Sequence, residues 1–468
     1  MSTPTDTLAA RLSAEFHLVE QGATCLLFDI EHLRLFGLNP EACGLVRPIL
    51  GGHRTPAEWP EGSGDQLTRV ISKLLDRDVA DSSPVEENEE PALERLVLHI
   101  SNRCNLRCRY CYAAGGTYGE PESDMQAGVA RATIDYFYQI YGAVRNVQFF
   151  GGEPLLNPDA LELVCRYVSQ KHAALEISRL PSFSVVTNGT ILSPRILDVL
   201  ADYGVNVTVS IDGPEHVHDY LRGRGTYRVV ARNVEALRRA GIEVGVECTF
   251  TRRHLDHGID VAALMEFFYR EFGLHVSHIP FVSATADSEL LVPPDDLKAS
   301  YARAIQLGIG RLTADDYVLE SFGFRLLRSL VYRKKTELYC PAGATTLAVS
   351  STGDIYPCFM FTGDRQFLLG NAVQGRIDGE RLKVLKDWLR TAIKWDNPEC
   401  SGCWARSLCF GCLGNDYIVS GSLDRRTQCD FNRHISRVAL LDARGVLDSP
   451  EAVQRIVSLA EGLPVLPF

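Results

Sequence analysis

Short apolar segments alternate with helical patterns through the middle of the chain. The apolar segments have the length of strands, and the segments between them repeat apolar residues at helical spacing. Six strands are predicted, at 95–100, 144–150, 183–187, 205–211, 242–250 and 275–281. Helical crossovers between consecutive strands imply an α/β fold with a parallel sheet that is closed or partly closed, and chemistry in such sheets lies at the carboxyl ends of the strands.

A smaller unit precedes this alternation. Three short strands are predicted at 15–21, 23–30 and 33–38. One face of a later helix is formed by Leu67, Val70, Ile71 and Leu74. Residues 78–91 are acidic and rich in serine and proline without an apolar period, which indicates a linker.

Helices are predicted again from 295 to 337, at 382–394 and after 432, and cysteines are frequent between 340 and 429. These patterns divide the chain into an N-terminal unit, a linker, the strand-helix unit, a helical bridge, a cysteine-rich domain and a helical tail. The predicted boundaries are 1–80, 81–92, 93–285, 286–338, 339–432 and 433–468.

Composition and charge narrow the class of protein. A chain of 468 residues suggests about three domains. A net charge of −11 argues against a protein that coats nucleic acid. The sequence has no secretory signal pattern and no run of roughly 18 apolar residues that would span a membrane. We therefore expect a cytoplasmic protein without nucleic-acid or membrane partners, whose 14 cysteines are reduced and serve metal or redox chemistry.

Three of these cysteines, Cys104, Cys108 and Cys111, follow the first of the six strands with the spacing C-x3-C-x2-C. Three thiolates on one loop can bind three irons of a cubane cluster, and because four ligands are usual the fourth iron is left for an external ligand. Clustered free thiols or a zinc site are the alternatives. Zinc usually takes four protein ligands, and no fourth Cys or His follows in this loop.

This loop, with Tyr110 before its last cysteine, resembles that of the radical S-adenosylmethionine (SAM) enzymes. The resemblance continues at the ends of the next three strands with the segments GGEP, TNG and SIDG, and then Arg222. It implies a partial (β/α)6 TIM barrel, a [4Fe–4S] cluster on the catalytic residues Cys104, Cys108 and Cys111, and a SAM site. The residues that would bind SAM are Tyr110, Gly151, Gly152, Glu153, Pro154, Thr187, Asn188, Ser210, Asp212 and Arg222.

Some of these residues have a simpler explanation. A tight turn would also account for Gly151 and Gly152. Ordinary loop polarity would also account for Ser210, Asp212 and Arg222.

A second group of cysteines lies in the C-terminal third. It consists of Cys340, Cys358, Cys400, Cys403, Cys409, Cys412 and Cys429. The pattern C-x12-G-x4-C, with Gly353 in a hairpin turn, precedes C-x2-C-x5-C-x2-C and a last cysteine. It resembles the SPASM domain of peptide-modifying radical SAM enzymes, which holds two auxiliary [4Fe–4S] clusters. The last interval of that family's knuckle is x3, so this chain departs from the pattern by one residue; two zinc sites are the alternative.

The resemblance implies how these cysteines are shared. An outer cluster would be held by Cys400, Cys403, Cys409 and Cys429, and an inner one by Cys340, Cys358 and Cys412. The inner cluster then has three protein ligands, and we expect its open iron to bind a substrate thiolate, which coordination deprotonates. Another cysteine, a histidine or a carboxylate is the alternative fourth ligand.

Four cysteines remain, namely Cys25, Cys43, Cys165 and Cys248. Free cysteine is often buried, so all four are predicted to be unpaired core residues. Cys248 is also a candidate for facing the barrel lumen.

The N-terminal unit resembles the winged-helix-like peptide-recognition domain fused to many peptide maturases. That domain binds a leader peptide as an added strand beside its third strand, which places the receiving edge near residues 31–36. A stabilising cap is the alternative.

A further resemblance indicates which reaction the enzyme would catalyse. The segments CPAG at 340–343, YPC at 356–358 and LGN at 369–371 resemble the maturases of SCIFF peptides (ranthipeptides) and of quinohaemoprotein amine dehydrogenase. This implies an enzyme that uses a 5′-deoxyadenosyl radical and an external one-electron reductant to join cysteine thiols to carbons of a precursor peptide or small protein. Anaerobic sulfatase maturases carry an Asp base where this chain has Phe359, which disfavours formylglycine formation.

Three other functions remain possible from the sequence. The first is carbon–carbon or carbon–oxygen cross-linking or epimerisation of a peptide, which shares every motif above. The second is radical chemistry on a small molecule, which would need no N-terminal unit. The third is a non-catalytic metal-cluster protein that binds and regulates a partner, against which the complete SAM motifs argue.

Overall fold

The structure is a computed structural model. It describes residues 12–50, 92–377, 383, 385, 387–388, 392–423 and 426–462. The N-terminal unit begins with an antiparallel sheet in the order β1-β2-β3. Its elements are β1 (Phe16–Gln21), β2 (Thr24–Asp29), β3 (Arg34–Gly37) and α1 (Pro40–Leu50). The three predicted strands are confirmed, whereas the helix predicted at 67–74 and the linker at 78–91 lie outside the described residues.

Both faces of this sheet are covered. Phe16 and Leu27 pack with Val46 and Ile49 of α1. The opposite face, which includes Leu26, joins the main core of the molecule. Alternation of side chains along each strand sends successive residues to the two faces, so the unit is not separate from the rest of the molecule.

The prediction that Cys25 and Cys43 are unpaired is wrong. The structure joins them in a disulfide between β2 and α1, across 18 residues of sequence. Both side chains are buried, as predicted. Cys165 and Cys248 are buried free cysteines in the main core.

A parallel sheet forms the centre of the molecule, in the predicted strand-helix alternation. Its first half contains β4 (Ala92–Ser101), α2 (Ala127–Tyr141), β5 (Ala143–Gly151), α3 (Pro158–Ala173), β6 (Ser182–Thr187) and α4 (Pro194–Asp202). Its second half contains β7 (Asn206–Ser210), α5 (Glu215–Arg222), α6 (Thr226–Arg239), β8 (Val244–Glu247), α7 (Arg252–Asp256), α8 (Val261–Phe272) and β9 (Val276–Ser277).

All neighbouring pairs from β4 to β8 are parallel and follow chain order. β9 joins β8 through the parallel bridges Glu247↔His278 and Phe250↔Phe281. Six parallel strands joined by helices confirm the partial (β/α)6 barrel. The last two strands are much shorter than predicted, because beyond β8 the chain pairs at isolated residues.

The C-terminal region extends the same sheet. After α9 (Pro294–Gly310), β10 (Leu319–Glu320) and α10 (Ser321–Tyr332) come β11 (Thr346–Val349), β12 (Asp354–Tyr356), β13 (Gly370–Asn371) and β14 (Arg376–Ile377). β11 pairs parallel with β4, and β12 to β14 continue as antiparallel neighbours. The hairpin turn predicted at Gly353 is confirmed by its φ of 92° between β11 and β12. The cysteine-rich region is therefore attached to the first barrel strand by backbone hydrogen bonds.

Four helices complete the described chain. They are α11 (Pro398–Ser401), α12 (Leu413–Ser420), α13 (Cys429–Leu447) and α14 (Pro450–Gly462). The predicted tail is thus two helices, and Ile435 of α13 packs in the same core as Leu26 of the N-terminal sheet. Six of the thirteen residues of the helix predicted at 382–394 lie outside the described residues. Within the described chain no helix is long and apolar enough to cross a bilayer.

Candidate active site

A cavity of about 690 Å³ lies at the carboxyl ends of the barrel strands. Six cysteines line it, namely Cys104, Cys108, Cys111, Cys340, Cys358 and Cys412. A separate small cavity is lined by Cys400, Cys403, Cys409 and Cys429. The loop after β4 brings three cysteines to this cavity, and the segments before β11, after β12 and before the helix Leu413–Ser420 bring the other three, while four others gather outside it.

Close backbone approach positions the first group. Gly152 N donates to the Ser101 carbonyl at 2.8 Å, and Glu153 N donates to the Arg103 carbonyl at 2.7 Å. A Cβ at Gly152 would overlap the Arg103 carbonyl, and one at Gly151, whose φ is 128°, would overlap the Ser101 carbonyl. The two glycines let the end of β5 lie directly against the start of the cysteine loop, which a tight turn alone would not require.

The Glu153 carboxylate ties neighbouring strand ends together. It accepts hydrogen bonds from Thr187 Oγ1 at 2.7 Å, Asn188 N at 2.7 Å and Leu155 N at 2.9 Å. Burial raises the pKa of this carboxyl, and the hydrogen bonds from Asn188 and Thr187 oppose that rise. The side chain is fully buried, so it acts through its neighbours rather than facing the cavity.

A buried ion pair organises the ends of β7 and α5. Asp212 accepts from Arg222 Nε at 2.7 Å, from the Tyr110 hydroxyl at 2.6 Å and from Thr249 N at 3.0 Å. Burial alone would raise the pKa of Asp212, but Arg222 and its other partners hold it below its usual value. Arg222, expected in a loop, is the last residue of α5. The pair connects Tyr110 of the cysteine loop to two strand ends.

Most residues predicted to bind SAM face this cavity. Its lining includes Tyr110, Gly151, Gly152, Thr187, Asn188, Ser210 and Arg222. Three others, Glu153, Pro154 and Asp212, are buried behind it. The structure thus places all ten at one end of the barrel.

The surroundings of Cys104, Cys108 and Cys111 suit an iron–sulfur cluster whose fourth iron takes an external ligand. Cys104 Sγ accepts from Leu106 N at 3.4 Å and from Asn188 Nδ2 at 3.8 Å. Burial raises the pKa of Cys108 to about 11, so a bound metal is needed to keep it as thiolate. The N–H donors aimed at sulfur stabilise that charged form.

The inner group, Cys340, Cys358 and Cys412, lines the same cavity. Burial raises the pKa of Cys358 to about 12 and raises that of Cys340 as well. Cys412 Sγ accepts a hydrogen bond from Asn415 N at 3.4 Å. Phe359 contacts Phe150 of β5 in a tilted ring pair with centroids 4.6 Å apart, so the position after Cys358 is apolar.

A buried lysine accompanies the outer group. Lys394 is 1% exposed, and its ammonium donates to Thr336 Oγ1 at 2.7 Å, to the Cys409 carbonyl at 2.8 Å and to the Arg406 carbonyl. Within the described residues it forms no salt bridge with a carboxylate. A buried cation is costly unless a counter-charge is near, and the nearby thiolates of an iron–sulfur cluster would supply it.

One compact group of candidate metal ligands lies outside the two cavities. In the part of the chain that the structure describes, Glu20, Cys25 and Cys43 have their ligand atoms within 4.8 Å of one another. The disulfide occupies two of its members.

Sequence reasoning missed several polar residues of the cavity wall. They are Arg95, Tyr112, Glu247, His278 and Arg325. A carboxylate inside the apolar segment 244–250 was a signal that could have identified Glu247. Arg325 lies on α10 and Lys394 lies in a turn, and the position of both relative to the cysteines depends on the tertiary fold.

Known proteins share this architecture. The sequence profile described as the Radical SAM superfamily matches residues 98–266. An AdoMet-dependent heme synthase of Nitratidesulfovibrio vulgaris is 30% identical over 72% of this chain and 91% of its own length. The mycofactocin maturase MftC of Mycolicibacterium smegmatis is 28% identical over 70% of this chain and 80% of its own.

The fold also matches a solved structure. Native anSMEcpe with bound AdoMet and the Cp18Cys peptide aligns with a TM-score of 0.63 at 21% identity, over 76% of this chain and 99% of that one. That likeness concerns the arrangement of the strands and helices described above. With the profile match and the extended similarity to the heme synthase, it shows that the chain belongs to the radical SAM superfamily.

Proposed function

We propose that this enzyme binds SAM and three [4Fe–4S] clusters and forms thioether cross-links in a peptide or small protein. The observation that carries the proposal is the shared cavity, on which the cysteine loop after β4 and Cys340, Cys358 and Cys412 converge. A cavity of about 690 Å³ is large enough for SAM with part of a peptide between the two groups. The cytoplasm is the compartment proposed for it, because the ten free cysteines of the two cavities must stay reduced to hold clusters.

The proposed cofactor ligands follow from position. The cluster that meets SAM would be held by Cys104, Cys108 and Cys111. The inner cluster would be held by Cys340, Cys358 and Cys412. The outer cluster would be held by Cys400, Cys403, Cys409 and Cys429. Reduced by one electron from an external donor, bound SAM would supply a 5′-deoxyadenosyl radical that takes a hydrogen atom from the substrate.

The chain's own residues orient the reactants and exclude water. Ser210, Asn188 and Arg222 offer polar contacts to SAM at the strand ends, and Asp212 fixes Arg222 in place. Phe150 and Phe359 present apolar surface in the same cavity, next in sequence to Gly151 and to Cys358 respectively. Three protein cysteines for the inner cluster leave a position for a peptide thiolate.

The reaction is tested with reconstituted enzyme, SAM and a reductant acting on a synthetic peptide from a cysteine-rich open reading frame beside the gene. Thioether formation removes two hydrogen atoms per link and protects the cysteine from alkylation, both visible by mass spectrometry. A product that loses hydrogen but keeps every alkylatable thiol would instead indicate carbon–carbon or carbon–oxygen linkage. Unchanged mass with deuterium incorporated from solvent would indicate epimerisation.

The N-terminal sheet is the proposed leader-binding element. β3 is an edge of the sheet β1-β2-β3 in the described residues. Leu38 N donates to the Cys25 carbonyl, and because hydrogen-bonded pairs alternate in an antiparallel ladder, the N–H groups of Leu35 and Gly37 point away from β2. Those groups can pair with an added peptide strand.

Proline at position 35 tests this edge. Leu35→Pro removes an outward N–H without removing a β2–β3 hydrogen bond, so leader affinity should fall about tenfold, as loss of one hydrogen bond with added steric hindrance predicts. Leu35→Ala is the matched control and should bind normally. Fluorescence anisotropy of a labelled leader peptide measures both. Equal affinity for the two variants would support the alternative that the unit is a stabilising cap.

A second candidate substrate is a small molecule such as a tetrapyrrole. The relative named heme synthase, 30% identical over 91% of its length, favours it. This alternative predicts transfer of substrate hydrogen to 5′-deoxyadenosine with a deuterated porphyrin and no transfer with any peptide. The cross-linking assay above, run with both substrate classes, separates the two.

A further inference from the structure

Three carboxylates line the cavity, and two of them already have partners. Glu94 pairs with Arg145 at 2.8 Å. Glu320 accepts from Ser321 Oγ at 2.8 Å and from the N–H groups of Phe322 and Gly323, which caps α10. Glu247 differs from both, since within the described residues its side chain has no hydrogen bond or ion pair.

Glu247 is the last residue of β8, at the end of the barrel where the reactants meet. Its bridge partner His278 lines the same cavity. Asp212 and Arg222 of the predicted SAM site both act electrostatically on Glu247. Tyr112, which also lines the cavity, is influenced by Cys358 as well as by Glu247. The carboxylate therefore belongs to the cavity that both groups of cysteines line.

We propose that Glu247 is the catalytic proton acceptor of the cross-linking reaction, receiving the proton of the substrate thiol. The proposal rests on the proposed function and deepens it by assigning a residue to a step that the reaction requires. Phe359 occupies the position after Cys358 where anaerobic sulfatase maturases carry an Asp base, so a base in this chain would come from another element.

The step balances in atoms and electrons. A 5′-deoxyadenosyl radical supplied by bound SAM would take a hydrogen atom from the peptide, giving 5′-deoxyadenosine and a carbon radical. The S–H bond of the peptide cysteine would break, its proton would pass to the Glu247 carboxylate, and the sulfur would form the new C–S bond. One electron is left over, and a [4Fe–4S] cluster held by Cys340, Cys358 and Cys412 would supply its one-electron acceptor.

The surroundings of Glu247 suit this task. Burial raises its pKa to about 7, with Arg222 lowering it and Asp212 raising it. A base with a pKa near the working pH accepts and then releases a proton readily. The titratable or charged groups that face it are Asp212, Arg222, Tyr112, Cys248 and His278. Burial lowers the pKa of His278 to about 3, so this neighbour stays neutral at neutral pH.

The main test compares wild type with Glu247→Gln on the cysteine-rich peptide. Cross-linked product should fall about 100-fold or more, as loss of a general base predicts, while 5′-deoxyadenosine formation continues. The wild-type kcat/KM should rise with pH through about 7, and the variant should lose that limb. Glu247→Asp should keep the limb at a lower rate. Glu243→Gln, an exposed residue just before β8, is the control and should behave as wild type.

Two measurements need no turnover. Infrared spectroscopy should show a carboxyl band that titrates near pH 7 in wild type and is absent from Glu247→Gln. Equilibrium dialysis should give the same SAM affinity for both proteins, and loss of SAM binding would overturn the proposal by placing Glu247 in the SAM site. Equal cross-linking by wild type and Glu247→Gln would overturn it while leaving the proposed function intact. A wild-type enzyme that makes no thioether with any substrate would overturn both.

Discussion

Two buried charged side chains, those of Asp212 and Lys394, are stabilised by different kinds of partner. Asp212 is fully buried but has a guanidinium partner in Arg222. Lys394 is 1% exposed and has hydroxyl and carbonyl acceptors, without a carboxylate among the described residues. A buried ion without its counter-ion costs several kcal/mol, so the two sites should respond differently to removal of a charge.

Asp212→Asn should destabilise the protein by about 3–5 kcal/mol, because it leaves Arg222 buried without a counter-charge. The depressed pKa of Asp212 means that its contribution is present above the unfolded-state pKa of about 4 and is lost as the pH falls below it. Urea unfolding from pH 3 to 7 should show this loss in wild type and a smaller one in the variant. Asp159→Asn, which removes the surface partner of Arg195, should leave the midpoint unchanged.

Lys394→Met should weaken the outer cluster without destabilising the apoprotein. Removing a cation near Cys409 deprives the cluster of its counter-charge, so iron should be lost to a chelator at about 10–100-fold lower chelator concentration. Iron and sulfide analysis of the reconstituted chain measures this. Lys334→Met changes an exposed lysine and is the matched control. Equal iron retention in the two variants would contradict a cluster-binding role for Lys394.

At the scale of elements, the carboxyl ends of the strands carry the chemistry, and periodic patterns predict most of these elements. The strands β4 to β7 and the helices between them follow local alternation, so their positions could be predicted within a few residues. The lengths predicted for β8 and β9 are too long, because apolar residues beyond the end of a strand also pack in the core without pairing with a neighbouring strand. The parallel pairing of β11 with β4 could not be predicted, since nothing local in either strand identifies its neighbour.

Dependence on contacts between distant segments also explains the predictions that are wrong or missing. A cytoplasmic protein is expected to keep Cys25 and Cys43 as free thiols. Their pairing depends instead on how α1 packs against β2. The cysteine loop and the GGEP segment were recognisable because each is continuous in sequence. Glu247 was not singled out, because a single carboxylate in a strand becomes notable only when its cavity and its lack of partners are known.

Gly152→Ala tests the contact between two elements. A Cβ there would overlap the Arg103 carbonyl and press on Cys104 N at 3.1 Å, so the cysteine loop must shift away from β5. We expect a stability loss of about 1–3 kcal/mol and poor iron incorporation on Cys104, Cys108 and Cys111. Gly128→Ala is the control, because a Cβ at that helical position meets nothing within 4 Å. Thermal unfolding and iron analysis of both variants measure the effect, and full iron loading of Gly152→Ala would contradict it.

At the scale of the whole molecule, the N-terminal sheet is packed into the common core. His17 stacks on Trp404 with ring centroids 4.1 Å apart, and Glu31 bridges Lys335 at 3.0 Å and Arg406 at 2.5 Å. The residues that make these three contacts belong to the predicted helical bridge and the cysteine-rich region, and α13 of the predicted tail also packs on the sheet. A leader peptide bound at β3 would therefore lie on a surface fixed to the cluster domain.

Removal of residues 1–91 should expose apolar surface on α13 and lower the thermal midpoint of the remaining chain, because Leu26 and Ile435 share one core. Loss of leader binding by such a truncation would thus be ambiguous. Glu31→Gln is the milder comparison, because it weakens the ion pairs and keeps the apolar contact. Differential scanning calorimetry should rank wild type above Glu31→Gln and both far above the truncation. An unchanged midpoint after truncation would show an independent unit.

The pairing of β4 with β11 has a consequence for biosynthesis. β4 ends at Ser101 and its outer neighbour begins at Thr346, so the first barrel strand keeps an open edge until some 250 further residues have left the ribosome. Closure of so long a loop is slow, and an unpaired strand edge invites aggregation in the meantime. The edge of the barrel that carries the cysteine loop is therefore completed only after β11, at the start of the cysteine-rich region, has been synthesised, and cluster insertion on that loop should follow the synthesis of β11.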